Sequence, residues 1–318
     1  MNLIPNETYG ELSVQIANIF QNYLTIMKPR VVILLVLSAI AAFVSGELML
    51  EVDAIRWQRL LLVIVTGAFS SGGANAINSW FERDTDALMP RTKQRPLPLG
   101  LILPSQAFFF GIFSIFLGVV LAFLFLNSLS ALMILLGALW YSVGYTMLLK
   151  RRTKWNIIGG GLAGVFPVLA GWSAAYGSMD AVFPWALGFL VWIWIPLHFW
   201  ALAIRFREEY AAVSIPMLPV VVGSQRTIPF ITSSALILLL AVLGIAVMQE
   251  THFLFILGSI PLVSWMLKHT LTLIRNPSPE NSWKLFKVSN FFLLLIEALI
   301  ILDSVCQIYF SLEPLVIF

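Results

Sequence analysis

Apolar runs alternate with short polar breaks along nearly the whole chain. A helix that crosses the hydrocarbon core of a bilayer needs about 20 consecutive apolar residues. Nine runs meet that need, near 31–50, 60–81, 106–126, 129–149, 156–176, 182–204, 228–248, 251–268 and 286–310. The pattern therefore predicts an all-α, polytopic membrane protein with nine transmembrane helices and no separate soluble domain. The first 27 residues are expected to form an N-terminal segment, 28–310 one membrane domain, and 311–318 a short tail.

Composition sharpens the picture. Of 318 residues 59% are hydrophobic and 11% charged, against roughly 25% charged in soluble domains. If the N-terminus is cytoplasmic and the spans alternate, 17 of the 19 Lys and Arg fall on the cytoplasmic side, leaving only Arg56 and Arg59 outside. The positive-inside rule favours that orientation. The first 27 residues lack Lys and Arg but include Glu7 and Glu11, so neither a signal peptide nor a mitochondrial presequence is expected, and a bacterial inner membrane is the simplest address. Cys306 is the single cysteine, which excludes an intrachain disulfide. No nucleic-acid partner is expected.

Polar chemistry gathers in two breaks, after the second and sixth runs. In the first, Asn75, Asn78, Glu82 and Asp86 recur at intervals of three, four and four, which aligns them on one helical stripe; Asp84 falls opposite. Prolines at 90, 96 and 98 end the helix, and Arg91, Lys93 and Arg95 follow. Oxygen ligands one turn apart suit Mg²⁺, which is commonly held by one or two carboxylates together with substrate phosphates, and the three bases suit phosphate oxygens. A solvated helix end with paired charges is the plainer alternative. In the second break, His198, Arg205 and Glu209 lie at helical offsets, followed by Tyr210 and the Pro216–Pro219 turn. The two units hint at an internal duplication. Between them Lys150, Arg151, Arg152 and Lys154 form a cationic run that serves either topology or an anionic ligand. Gly159, Gly161 and Gly164 fit G-x-G-x-x-G, yet no strand precedes them, so the dinucleotide reading is rejected in favour of close helix packing.

On these residues the sequence resembles the UbiA superfamily of intramembrane prenyltransferases. Asn78, Glu82 and Asp86 followed by Arg91-Thr-Lys-Gln-Arg95-Pro resemble its first motif. The stretches "PLHFWALAIRFREEY" and "IPMLPVV", with Lys150-Arg-Arg-Thr, Asn156, Gly159 and Gly171-Trp172, are similar to its haem-farnesylating branch; Lys154, Val168 and Leu197 depart from it. The resemblance implies a helical bundle with a central cavity open to the cytoplasmic side. It also implies transfer of farnesyl from farnesyl diphosphate to the 2-vinyl group of haem B with addition of water, for use by a terminal oxidase directly or after a haem A synthase.

The roles follow as expectations. Asn78, Glu82 and Asp86, with Asp84 more weakly, hold Mg²⁺. Arg91, Lys93, Arg95, Lys150, Arg151, Arg152 and Glu209 (or Glu208) serve the diphosphate. His198 ligates haem iron or handles a proton, and Arg205, Arg207 and Tyr210, or the Lys150–Arg152 run, meet the acceptor. Trp80, Tyr141, Tyr145 and Trp200 are candidates for stabilising the allylic cation. A quinone-type acceptor, a secondary transporter and an oxidase assembly factor are the competing readings.

Overall fold

The computed structural model describes residues 18–248 and 253–310. Glu7, Glu11, the connection at Gln249–Thr251 and the tail 311–318 lie outside the described residues. Among those described, nine helices are long and apolar enough to cross a membrane. They are α1 (Pro29–Met49), α2 (Trp57–Leu88), α3 (Pro104–Phe125), α4 (Ser128–Leu149), α5 (Asn156–Tyr176), α6 (Phe183–Arg205), α7 (Ser224–Met248), α8 (Phe253–Arg275) and α9 (Pro279–Phe310). Local chemistry sets several ends. Pro29, Pro104 and Pro279 open their helices at the first turn, where a missing N–H costs nothing. The Asn127 side chain accepts from the Ser130 N–H at 2.7 Å and caps α4. Gly177, with φ 84°, ends α5 in the left-handed conformation that glycine adopts freely.

Two helices differ from the expected runs in ways that matter. The apolar pattern ends α2 near residue 81, but the helix continues unbroken to Leu88, so the acidic stripe stands on regular helix. α4 changes winding at Trp140 and proceeds as π-helix to Leu149. Wide π-turns of this kind recur at functional sites. α5 passes through a 3₁₀ turn at Leu162–Gly164 just before Pro167, whose missing N–H cannot sustain the preceding α-turn.

Successive helices pack side by side around a ring, and α9 closes it against α1. α1 also packs on α5, and α6 on α9. A helix over residues 18–27 carries Ile26 and Tyr23 into the cluster formed by α2, α3 and the 89–103 loop, so the chain joins the bundle before residue 28. Large apolar side chains of α3, such as Phe109, Phe113 and Phe123, are exposed outward, as a lipid-facing surface requires.

Small residues permit the closest helix approach. A Cβ on Gly171 of α5 would stand 2.0 Å from the backbone oxygen of Ala39 on α1, and a backbone clash cannot be relieved by a rotamer change. Gly171→Ala is expected to destabilise the protein by about 1–3 kcal/mol. A detergent unfolding midpoint unchanged from wild type would contradict this packing.

Candidate active site

A cavity of about 790 Å³ lies inside the ring, lined by α1, α2, α4, α5, α6 and α9. Its polar end is built on α2. Asn75, Asn78, Glu82 and Asp86 are all buried, with residue exposures of 1, 1, 6 and 5%, and all four line the cavity. Asp84 points outward, its side chain 82% exposed beside Arg83 at 3.6 Å.

Each inward acid has a base. Lys150, at the end of the π-segment, forms an ion pair with Glu82. The Arg95 Nη1 donates to Asp86 Oδ2 at 2.7 Å. The loop after α2 makes the second pair possible. The Thr92 hydroxyl donates to the Asp86 carbonyl at 2.9 Å and the Arg95 N–H to the Thr92 carbonyl at 2.9 Å, folding the chain back over the helix end. Asn78 is held from both sides, its Oδ1 accepting from Lys28 and its Nδ2 donating to Thr146 at 3.0 Å. Burial would lower the Lys150 ammonium, but the Glu82 carboxylate outweighs it and holds the group above the usual lysine value. Burial, reinforced by Arg95 and opposed by Glu82, pushes Lys28 down to about 7.

Lys28 has no place among the residues singled out from the sequence. It precedes α1 with φ 55°, a left-handed conformation that costs a non-glycine residue of order 1–2 kcal/mol. Its 50-residue separation from Asn78 carries no periodic signal. The only sequence cue is a base immediately before the helix-opening Pro29.

The structure separates the remaining predicted bases. Arg91 lines the cavity, its guanidinium 5.2 Å from the Phe206 ring centroid and its Nη2 3.5 Å from the Tyr210 hydroxyl, which also lines it. Lys93 is exposed and off the cavity, because the loop beyond Pro90 turns it to solvent. Arg151 and Arg152 are likewise exposed; Arg151 donates to Thr85 at 3.1 Å and lies over Phe81. Arg205, Arg207, Glu208 and Glu209 also miss the cavity. The helical offset that linked His198 to Glu209 ends at Phe206, where α6 stops and a separate short helix, Arg207–Ala212, begins. Arg205 instead faces Glu280 at 3.5 Å. Of the four aromatic candidates, Tyr141 and Tyr145 line the cavity, their rings stacked at 5.8 Å, whereas Trp80 and Trp200 do not.

His198 lines the cavity farther round, on α6. Its ring is sandwiched between Trp194 at 4.4 Å and Phe286 at 4.3 Å. The Ser289 hydroxyl donates to the Phe286 carbonyl at 2.8 Å and therefore accepts from His198 Nδ1 at 2.8 Å. That assigns the proton to Nδ1 and leaves the Nε2 lone pair available. Between α1 and α9, Ser38, which lines the cavity, donates to Glu297, and the Ser45 and Ser304 hydroxyls meet at 3.3 Å farther along the same seam.

The description "UbiA prenyltransferase family" matches residues 31–296. The chain belongs to that family. Among similar proteins, the Protoheme IX farnesyltransferase 1 of Cenarchaeum symbiosum (strain A) is 37% identical over 289 residues, covering 88% of this chain and 95% of that protein. The Protoheme IX farnesyltransferase of Symbiobacterium thermophilum is 38% identical, covering 85% and 88%. That of Thermus thermophilus is 37% identical over 89% of this chain, which spans 46% of the relative's length. Solved structures share the fold. A structure described as digeranylgeranylglyceryl phosphate synthase superposes with a TM-score of 0.72 at 17% identity, over 91% of this chain and 99% of that one. A UbiA homolog from Archaeoglobus fulgidus bound to DMAPP and Mg²⁺ gives 0.65 at 20% identity, over 88% and 99%. The chain is thus a multi-pass membrane protein of a prenyltransferase family.

The inward and outward bases of this UbiA prenyltransferase make different predictions. Arg95→Ala should weaken binding of pyrophosphate with Mg²⁺ by at least about tenfold, since a hydrogen bond to a charged group contributes about 1.5–3 kcal/mol. Lys93→Ala should stay within about twofold, as surface substitutions do. Equal losses by calorimetric titration would show that the loop geometry is wrong.

Proposed function

We propose that this chain transfers the farnesyl group of farnesyl diphosphate to the 2-vinyl group of protohaem IX, with addition of one water to the vinyl carbon and release of diphosphate, giving haem O. The reading is carried by one observation: the cavity joins a diphosphate-type polar end to a histidine whose Nε2 is open. The names of relatives at 37–38% identity support the same acceptor. A secondary transporter would place its charges near the midplane, whereas these gather at one end of the bundle.

The polar end suits a metal held jointly with phosphates. No cluster of three His, Cys, Asp or Glu able to cage a metal exists among the described residues. Asn78, Glu82 and Asp86 instead offer an amide oxygen and two carboxylates one turn apart, a donor set that fits Mg²⁺ completed by diphosphate oxygens and water. When bound, Mg²⁺ would neutralise charge on the leaving diphosphate. Asp84, being exposed, takes no part in this reading.

The chain's own groups do the rest. Arg91, Arg95, Lys150 and Lys28 surround the polar end and stabilise the negative charge that grows as the allylic C–O bond breaks. Tyr141 and Tyr145 line the cavity near the polar end, where cation–π attraction would favour the allylic cation. Apolar walls from α4 and α5, including Met133, Ile134 and Phe166, hold the isoprenoid away from water. The His198 Nε2 lone pair orients haem through its iron, with Ser289 fixing the tautomer. We place the charged end on the cytoplasmic side of a bacterial inner membrane, following the distribution of Lys and Arg; a haem A synthase or terminal oxidase would receive the product.

Purified protein given farnesyl diphosphate, haem B and Mg²⁺ should form prenylated haem, and absence of that product would overturn the reading. Asp86→Asn and Glu82→Gln should each lower turnover by about 10²–10³-fold; full turnover of either at saturating Mg²⁺ would remove that carboxylate from the mechanism. His198→Ala should shift the Soret band of bound haem and weaken its binding. An unchanged band and affinity would exclude iron ligation.

A further inference from the structure

Six bases line the cavity: Lys28, Arg30, Arg91, Arg95, Lys150 and Lys287. Four are engaged. Lys28 donates to Asn78, Arg95 to Asp86, Lys150 to Glu82, and Arg91 reaches Tyr210 and Phe206. The side chains of Arg30 on α1 and Lys287 on α9 make no hydrogen bond or ion pair to any described residue, and both are exposed as well as cavity-lining. They stand on two helices that pack against each other. Ile33 and Phe291, on the same two helices, are 59% and 56% exposed while also lining the cavity. The cavity therefore opens sideways between two unpartnered cations.

Resting on the haem-prenylating reading, we propose that Arg30 and Lys287 form a dicarboxylate station that grips the two propionates of haem B. The station is separate from the polar end on α2, where both acids already have bases. Its position follows from α9. Lys287, Asn290, Phe291 and Leu294 recur at helical spacing, so one stripe descends from the base into the apolar wall. Phe286, the residue before Lys287, stacks on the His198 ring, and Ser289 holds that ring. Haem has an anionic edge bearing both propionates and an apolar vinyl edge opposite. With its iron near His198 Nε2, the anionic edge faces the gap at Arg30 and Lys287. The 2-vinyl edge then faces the interior, toward Tyr141 and Tyr145. The station thus orients the acceptor as well as holding it. Arg205 and Arg207, expected from the sequence to meet the acceptor, lie off the cavity and leave this role to the α1–α9 pair.

Basic side chains at a bilayer edge also meet lipid phosphates, which share oxyanion chemistry with propionates, so the test separates the two sources. The full chain is titrated in detergent with haem B and with its dimethyl ester, in which both propionates are uncharged, using wild type, R30Q, K287Q and K287R. Each Gln variant should raise the haem B dissociation constant about tenfold, the scale of losing a charge-assisted hydrogen bond. K287R should retain binding, and the dimethyl ester should bind wild type and Gln variants alike. Pyrophosphate binding with Mg²⁺ should persist in every variant, which excludes misfolding. Unchanged haem B affinity in the Gln variants overturns the proposal, as do equal losses for haem B and its ester. If the Gln variants lose co-purifying phosphatidylglycerol but keep haem affinity, the cations serve lipid and the proposal fails. Wild type that binds no haem at all would overturn the underlying acceptor reading as well, a result distinct from variants that bind as wild type does.

Discussion

An ionised carboxylate inside a membrane bundle must be matched by a base, because a lone charge in such surroundings costs far more than an exposed one. Removing one partner of a buried pair costs about 3–5 kcal/mol. Glu82 and Asp86 each face the cavity from a helix that is itself embedded, and most of the local architecture answers that requirement. α2 overruns the expected membrane boundary so that both acids share one regular stripe. The π-segment of α4 delivers Lys150 to Glu82, and the reversed loop after α2 delivers Arg95 to Asp86. Even Lys28, in its left-handed conformation, is held by its bond to Asn78. The polar end is thus preorganised before any substrate arrives, which is the arrangement that stabilises developing charge without reorganisation.

The cavity carries two acids against six bases. Arg30, Arg91 and Lys287 among them are exposed, and the surplus of positive charge favours the entry of anions. A diphosphate and a haem dicarboxylate are both amphipathic anions with long or flat apolar bodies. On the proposed reading, a chamber inside a helix ring would accept the apolar parts, while its charged end and side gap would receive the anionic ones. The deeper α1–α9 seam, with Ser38 on Glu297 and Ser45 against Ser304, holds the two helices together where the gap ends.

What the sequence makes legible follows the reach of helical periodicity. The nine apolar runs mark the spans because hydrocarbon tolerates little else. The stripe of Asn75, Asn78, Glu82 and Asp86 is readable because all four stand on one continuous helix, and the same regularity turns Asp84 outward. Beyond Pro90 no period governs the chain, so Arg91, Lys93 and Arg95 look equivalent although only two face inward. At Phe206 α6 stops, which detaches Glu209 from His198, while Arg205, still on α6, turns to Glu280 off the cavity. Pairings between distant segments, such as Lys28 with Asn78, and the choice of Tyr141 and Tyr145 over Trp80 and Trp200 depend on tertiary packing that no local pattern encodes. The π-winding that aims Lys150 is likewise invisible in composition.

The most direct test of this account is an experimental structure with Mg²⁺ and a non-hydrolysable thiolo analogue of farnesyl diphosphate. Diphosphate density is expected at the end of α2, sharing the metal with Glu82 and Asp86 and contacted by Arg91, Arg95 and Lys150. Density for that group elsewhere, with the Glu82–Lys150 and Asp86–Arg95 pairs undisturbed, would contradict it.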